Sequence, residues 1–226
     1  MFGKAKKAKA SYGIVGLGRF GMALAIELAE AGEDLVVLDQ DEEKVRALRD
    51  YTEAAYVVKA LDKKTLEETG IQNCDVAVVC IGEKMDVSIL TTLHLVSMGI
   101  PTVIAKAASE EQGQVLRKLG AQVVYPEHDM AIRLAHRLET TGMLDFVQLS
   151  EQVSISKLAV PAKMIGKTVV DVNLRGQFGL NIIAIENAGK VNESVGPNTV
   201  FQEGDILFVS GGKNAVNKMA DWLDNQ

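Results

Sequence analysis

The fold is decided by Tyr12-Gly13-Ile14-Val15-Gly16-Leu17-Gly18-Arg19-Phe20-Gly21. A short apolar run, Tyr12–Val15, ends in Gly-x-Gly-x-x-Gly, and a helical pattern opens at the last glycine. Asp39 closes the next strand-like run, 18 residues beyond Gly21. Strand, glycine turn, helix and spaced acid together make a dinucleotide-binding turn, a context the glycines alone would not supply. Gly16 permits the tight turn, Gly18 lets backbone N–H groups approach phosphate oxygens, and Gly21 allows helix and strand to pack closely. The helix N-terminus adds partial positive charge at the phosphates. A glycine turn without a ligand is the plainer alternative.

Outward from this turn, strand and helix alternate as far as Gly142. Strand-like runs are Tyr12–Val15, Leu35–Leu38, Ala55–Val58, Val76–Ile81, Thr102–Ala105 and Gln122–Tyr125. Between them lie helical patterns at Gly21–Ala31, Glu42–Arg49, Lys63–Thr69, Val87–Met98, Glu110–Leu119 and Met130–Leu138. Several are followed by a glycine that stops the helix: Gly32, Gly70, Gly99 and Gly120. The apolar runs suit strands covered on both faces. Residues 1–142 are therefore predicted to form an α/β domain with a Rossmann-like, doubly wound parallel sheet.

The pattern changes after Gly142. Phe146–Leu149 and Ser154–Val160 are strand-like, and Val169–Leu174 reads as one short helix. Asn181–Glu186 and Lys190–Val191 read as a hairpin around Ala188-Gly189. Asp205–Val209 is another strand, and Lys213–Leu223 a closing helix. Residues 143–226 are predicted to be a small α+β lobe, with the boundary near Thr140–Asp145 and no floppy linker.

Composition narrows the function. The 226 residues carry 24 Lys and Arg against 30 Asp and Glu, a net charge of −6. That is the wrong sign for a nucleic-acid binder. The longest stretch without Asp, Glu, Lys or Arg, Val87–Ala105, is too polar to span a bilayer and is broken by Pro101. The arm Met1–Ala10 carries Lys4, Lys6, Lys7 and Lys9 with no apolar run behind it, so it does not read as a signal peptide. It is either a solubilising arm or a contact for anionic lipid or a membrane partner. Cys74 and Cys80 share one apolar run and read as reduced core residues of a cytosolic protein.

The chemistry of a reaction is harder to find. A dehydrogenase needs a proton donor and a substrate clamp in its second lobe. Here the second lobe holds no histidine, and His94, His128 and His136 all fall in the first. No H-E-x-x-H, C-x-x-C, G-x-S-x-G or complete P-loop occurs; Gly166-Lys167-Thr168 lacks the upstream glycine. A small NAD-dependent oxidoreductase is the second hypothesis, behind a nucleotide sensor.

Asp39 and Arg19 limit the ligand. Asp39 is placed to accept hydrogen bonds from a ribose diol, and its charge repels a 2′-phosphate, which disfavours NADP. NAD, ADP and ATP present the same diol. Arg19 enters the helix beside the phosphates, where a guanidinium suits terminal phosphate charge. Its alternative role is a solvated residue of the first turn, slightly unfavourable for the helix dipole.

Four runs carry a family resemblance: Val15-Gly16-Leu17-Gly18-Arg19-Phe20-Gly21, Val37-Leu38-Asp39-Gln40-Asp41-Glu42-Glu43-Lys44-Val45, Leu90-Thr91-Thr92-Leu93 and Tyr125-Pro126-Glu127-His128-Asp129-Met130. Over Tyr12–Leu223 the chain resembles the KtrA/TrkA family of potassium-uptake regulators. In these an RCK (regulator of conductance of potassium) domain precedes a TrkA-C domain. The glycine motif and the length are closer to KtrA, with a single RCK unit per chain.

The resemblance implies a cytoplasmic, non-enzymatic regulatory subunit at the inner face of the membrane. It would assemble into dimers and an octameric ring beneath a potassium-translocating subunit of the KtrB/TrkH type. ATP, ADP or NAD(H) would bind the N-lobe and switch the ring. The nucleotide-binding set is then Gly16, Gly18, Arg19, Phe20, Gly21, Asp39, Gln40, Lys59, Ala60 and Lys106. Glu127 falls at an interface acid associated with a cation (Mg, Ca or Na); otherwise it is a favourable acid at a helix N-terminus. In the C-lobe, Arg175, Asn181, Ile182 and Pro197 match a cyclic di-AMP motif. A two-fold interface with one Arg per subunit would suit its two phosphates. Alternatively, Arg175 caps the short helix and Asn181 begins a strand.

Overall fold

The computed structural model describes residues 9–139, 143–150 and 153–212, and beyond them residues 214, 215, 218, 219 and 222. The expectations for Met1–Ala8 and for parts of Lys213–Leu223 lie outside the described residues. The five described positions past 212 are helical.

The chain divides into two compact units, residues 1–127 and 128–226. In the first, β1 (Ser11–Val15), α1 (Arg19–Glu30), β2 (Asp34–Asp39), α2 (Glu42–Ala47), β3 (Ala55–Val57) and α3 (Lys63–Glu68) are followed by a short 3-10 turn. Then come β4 (Val76–Val79), α4 (Met85–Ser97), β5 (Thr102–Lys106), α5 (Glu110–Lys118) and β6 (Gln122–Val124). The six strands form one parallel sheet in the order β3-β2-β1-β4-β5-β6. The chain starts at the centre, winds out one way to β3, then crosses back over β1 to β4. That reversal opens a crevice at the carboxyl ends of β1 and β4.

Successive strand residues bury on opposite faces. Ile14 and Val37 join a core with Ala25, Val45 and Leu48. Their neighbours Val15 and Leu38 join another with Leu66, Leu95 and Leu116. Each strand is thus apolar on both sides, as its uninterrupted sequence requires. Gly32, Gly70, Gly99 and Gly120 follow their helices with φ between +77° and +101°.

α6 (Pro126–Glu139) opens on Pro126, whose missing N–H costs a helix nothing in its first turn. The division at Glu127 puts most of this helix with the second unit, whereas the strand–helix rhythm placed it before a boundary at 142. Residues 127–135 are exposed.

The second unit holds β7 (Met143–Gln148), β8 (Ser154–Ala159), α7 (Val169–Val172), α8 (Leu174–Phe178), β9 (Asn181–Asn187), β10 (Lys190–Asn192) and β11 (Ile206–Gly211). Its sheet is antiparallel, in the order β10-β9-β11-β8-β7. Leu158, Leu180, Phe201, Leu207 and Val209 fill its core. The single helix expected at Val169–Leu174 is two short ones. Asn173 breaks them at φ +46° and then caps α8, its Oδ1 accepting the Gly176 N–H. Thr168, the last residue of the P-loop-like triplet, is spent on a capping box with Asp171.

Candidate functional site: a cleft at the strand reversal

A cleft of about 690 Å³ opens at the carboxyl ends of β1, β2, β4 and β5. Its floor is the glycine turn. Gly16 has φ +95°, a region closed to most side chains. Its N–H donates to the Leu38 carbonyl at 2.8 Å, which ties the turn to β2. A Cβ on Gly18 would meet nothing within 4 Å, because this residue faces the open cleft. A Cβ on Gly21 would run into the Gly16 carbonyl oxygen, so this glycine serves packing under the cleft. The N-cap position of α1 is Gly18 itself, with no capping side chain and no acid in the first turn. The N–H groups there are left for an external acceptor.

Asp39 is the last residue of β2. Its Oδ2 accepts the Leu17 N–H at 2.5 Å and its Oδ1 the Asp41 N–H at 2.9 Å. The carboxylate thus holds the glycine turn as well as facing the cleft. Each oxygen keeps a further lone pair for a ribose hydroxyl. The sequence reading assigned Asp39 a ribose diol and missed its bracing of the turn.

Gly16, Gly18, Arg19, Phe20, Asp39, Gln40, Lys59, Ala60 and Lys106 all line this cleft, and so does Glu127. Of the expected set only Gly21 does not, for the reason given above. Lys106 ends β5 and its side chain is 12% exposed, whereas that of Glu127 is 69% exposed. Their charges meet at 2.5 Å. The Lys106 hydrogen bond holds the Glu127 carboxyl below its usual range, with the Arg19 charge adding to the effect. Arg19, Lys106 and Glu127 therefore share one end of the cleft. Cys80, just past β4, also lines it, and burial pushes its thiol up to about 12. Cys74 is free and buried too, at about 11. Neither thiol is a nucleophile at neutral pH.

Sequence reasoning missed Lys44, Glu83, Lys84, Val87 and Ala108, which also line the cleft. The signal was present. In a doubly wound sheet the ligand crevice lies past the strand ends, so residues following β4 and β5 belong there. With Arg19, Lys59 and Lys106 the described lining carries five cations against three carboxylates. A chain of net charge −6 thus has a cationic cleft. Among the described residues no group of three His, Cys, Asp or Glu could hold a metal ion. Within one chain Glu127 makes its contact with Lys106.

The four second-unit residues lie in separate parts of that unit: α8, β9 and the segment between β10 and β11. Arg175 lies in α8, its carbonyl accepting the Gly179 N–H that ends the helix. Asn181 begins β9 and is exposed; Ile182 is half-buried against the core. Pro197 is exposed, and its carbonyl accepts the Val170 N–H of α7. No described helix is long and apolar enough to cross a membrane.

A Rossmann-like domain followed by a small antiparallel lobe defines the class: a two-domain protein with a nucleotide-type crevice. Comparison with known proteins places it further. The TrkA-N domain family matches residues 12–126 and the TrkA-C domain family residues 153–224. The Ktr system potassium uptake protein C of Bacillus subtilis is 35% identical over 93% of this chain and 96% of its own length. The Ktr system potassium uptake protein A of the same organism is 33% identical over 92% and 94%. The chain belongs to this TrkA-N/TrkA-C family, with Ktr potassium uptake proteins among its homologues. In fold it is similar to the RCK domain of GsuK, with a TM-score of 0.65 at 20% identity. That likeness covers 97% of this chain, which spans about half (48%) of the GsuK chain.

Proposed function

We propose that this chain is a cytoplasmic, nucleotide-responsive regulatory subunit of a Ktr-type potassium uptake system. The observation that carries the reading is the cationic cleft at the strand reversal, floored by uncapped N–H groups and bordered by Asp39. Such a cleft favours an adenine nucleotide with a free ribose diol and several phosphate charges. ATP, ADP and NAD(H) all qualify. Arg19 and Lys106 at one end favour the ligands with more terminal charge. Two of the three cleft carboxylates, Asp39 and Glu127, are engaged with backbone N–H groups and with Lys106, which supports a binding role for these two rather than acid–base catalysis.

In this reading the chain forms a homo-oligomer, a dimer and then an octameric ring, docked on a membrane-embedded potassium-translocating subunit. Differential affinity for ATP and ADP shifts the ring between two shapes. Glu127 takes up a cation together with the phosphates, and Arg175, Asn181, Ile182 and Pro197 form the cyclic di-AMP site at a two-fold contact. The domains are 1–142 and 143–226.

Calorimetry of the purified chain with ATP, ADP and NADH tests the nucleotide reading. ATP binding that Arg19→Ala weakens far more than AMP binding is expected. Absence of ATP binding, or hydride transfer from NADH to a substrate, overturns it. Recovery of a membrane potassium translocator with the tagged chain, with different yields in ATP and ADP, tests the partner.

A further inference from the structure

A buried polar seam runs between α4 and α5, and nothing in the nucleotide reading uses it. Gln112 of α5 is 1% exposed and Ser88 of α4 is fully buried. A buried amide is costly unless its donors and acceptors are met. Gln112 meets them with two separate cleft segments. Its Oε1 accepts the Ala108 N–H at 2.9 Å, and its Nε2 donates to Ser88 Oγ at 3.3 Å. Its own N–H donates to Ser109 Oγ, the N-cap of α5, at 3.2 Å.

Both partners adjoin the cleft. Ala108 lines it, two residues beyond Lys106. Ser88 follows Val87, which also lines it, and the Ser88 N–H donates to the carbonyl of Lys84, a third lining residue. One side chain therefore fastens the connection after β5 to the first turn of α4. Packing alone needs no amide here: Met or Leu would fill the space, but would leave the Ala108 N–H without its acceptor.

We propose that Gln112 is a positioning residue for the nucleotide cleft. By holding the Lys106–Ala108 wall against α4 it sets where Lys106 stands relative to the phosphates. This rests on the nucleotide reading above. The adenosine end of the cleft, bordered by Asp39, does not depend on this fastening.

The test is calorimetry of the full chain with ATP and with AMP, beside thermal unfolding. Gln112→Met is expected to lower ATP affinity about tenfold and AMP affinity less than about threefold, the scale of one buried hydrogen bond. A lower unfolding midpoint with an unchanged ATP-to-AMP ratio overturns the proposal. Should Gln112→Met fail to fold, Ser88→Ala carries the test, with a ratio lowered about threefold expected and no change overturning it. Failure of the unsubstituted chain to bind either nucleotide would instead sink the nucleotide reading itself.

Discussion

The Lys106 ammonium, almost enclosed, meets the well-exposed Glu127 carboxylate at 2.5 Å across the mouth of the cleft. A phosphate entering this end competes with Glu127 for the same cation. Glu127→Gln is therefore expected to raise ATP affinity, measured in chelator, by about threefold, the scale of a solvent-screened ion pair. Unchanged or weaker ATP binding in chelator would show that Lys106 does not reach the phosphates.

The same pair has a pH signature. The Glu127 carboxyl lies below its usual 4.5, chiefly through the Lys106 hydrogen bond. A carboxyl depressed by folding contributes stability above its unfolded value and loses it as pH falls through its folded value. The midpoint difference between the unsubstituted chain and Glu127→Gln is expected to be small near neutrality, since the group is exposed, and to vanish in acid below 4.5. Thermal unfolding across pH 7 to about 3 reads this. A difference that grows in acid contradicts it.

Gly18 and Gly21 should fail in different ways. At Gly18 an added Cβ meets no protein atom within 4 Å and φ is an ordinary −68°, so Gly18→Asp is expected to fold. Its carboxylate then occupies the phosphate space, and ATP, ADP and NADH binding are expected to be lost together. Gly21→Ala drives a methyl into the Gly16 carbonyl and is expected to cost about 1–3 kcal/mol of stability. Circular dichroism melts beside calorimetry separate the two; equal loss of stability would refute the distinction.

Asp39→Asn tests whether the acid braces the turn. One of its two backbone N–H partners, Leu17 or Asp41, would then face an amide NH2. A loss of about 1–3 kcal/mol is expected even without ligand, from the unsatisfied donor. A melt unchanged from that of the unsubstituted chain would leave Asp39 with the ribose role alone.

In the second unit Ala188 and Gly189 join β9 to β10 with φ of +46° and +77°. Two positive φ values call for Asn-Gly or Gly-Gly. Ala188→Gly relieves a left-handed alanine and is expected to stabilise this unit by about 1 kcal/mol. A urea midpoint that falls would show that the alanine methyl makes a contact worth more than the strain.

Much of the first unit was legible in the chain. Apolar runs of strand length, spaced by helical patterns and stop glycines, leave few foldings other than a doubly wound parallel sheet. The glycine motif located the turn because only glycine tolerates Gly16's backbone and Gly21's lack of space. The lobe after Gly142 was less legible. A single residue, Asn173, in a left-handed conformation splits one expected helix into two, and apolar spacing does not report that. The helix Pro126–Glu139 keeps the rhythm of its predecessors, but its residues 127–135 are exposed, which rhythm does not report.

The amino-acid order by itself determined the local pieces: which residues are strand, where helices stop, and that Gly16 to Gly21 make a glycine turn between strand and helix. Those depend on side-chain size, periodicity and backbone freedom within a few residues. Only the tertiary structure decided that Lys106 faces Glu127, that Asp39 braces Leu17, and that Gln112 fastens Ala108 to Ser88. These partners stand 21, 22 and, for Gln112 and Ser88, 24 residues apart. Their meeting follows from the strand order and register of the sheet, which long-range packing sets and no local pattern records.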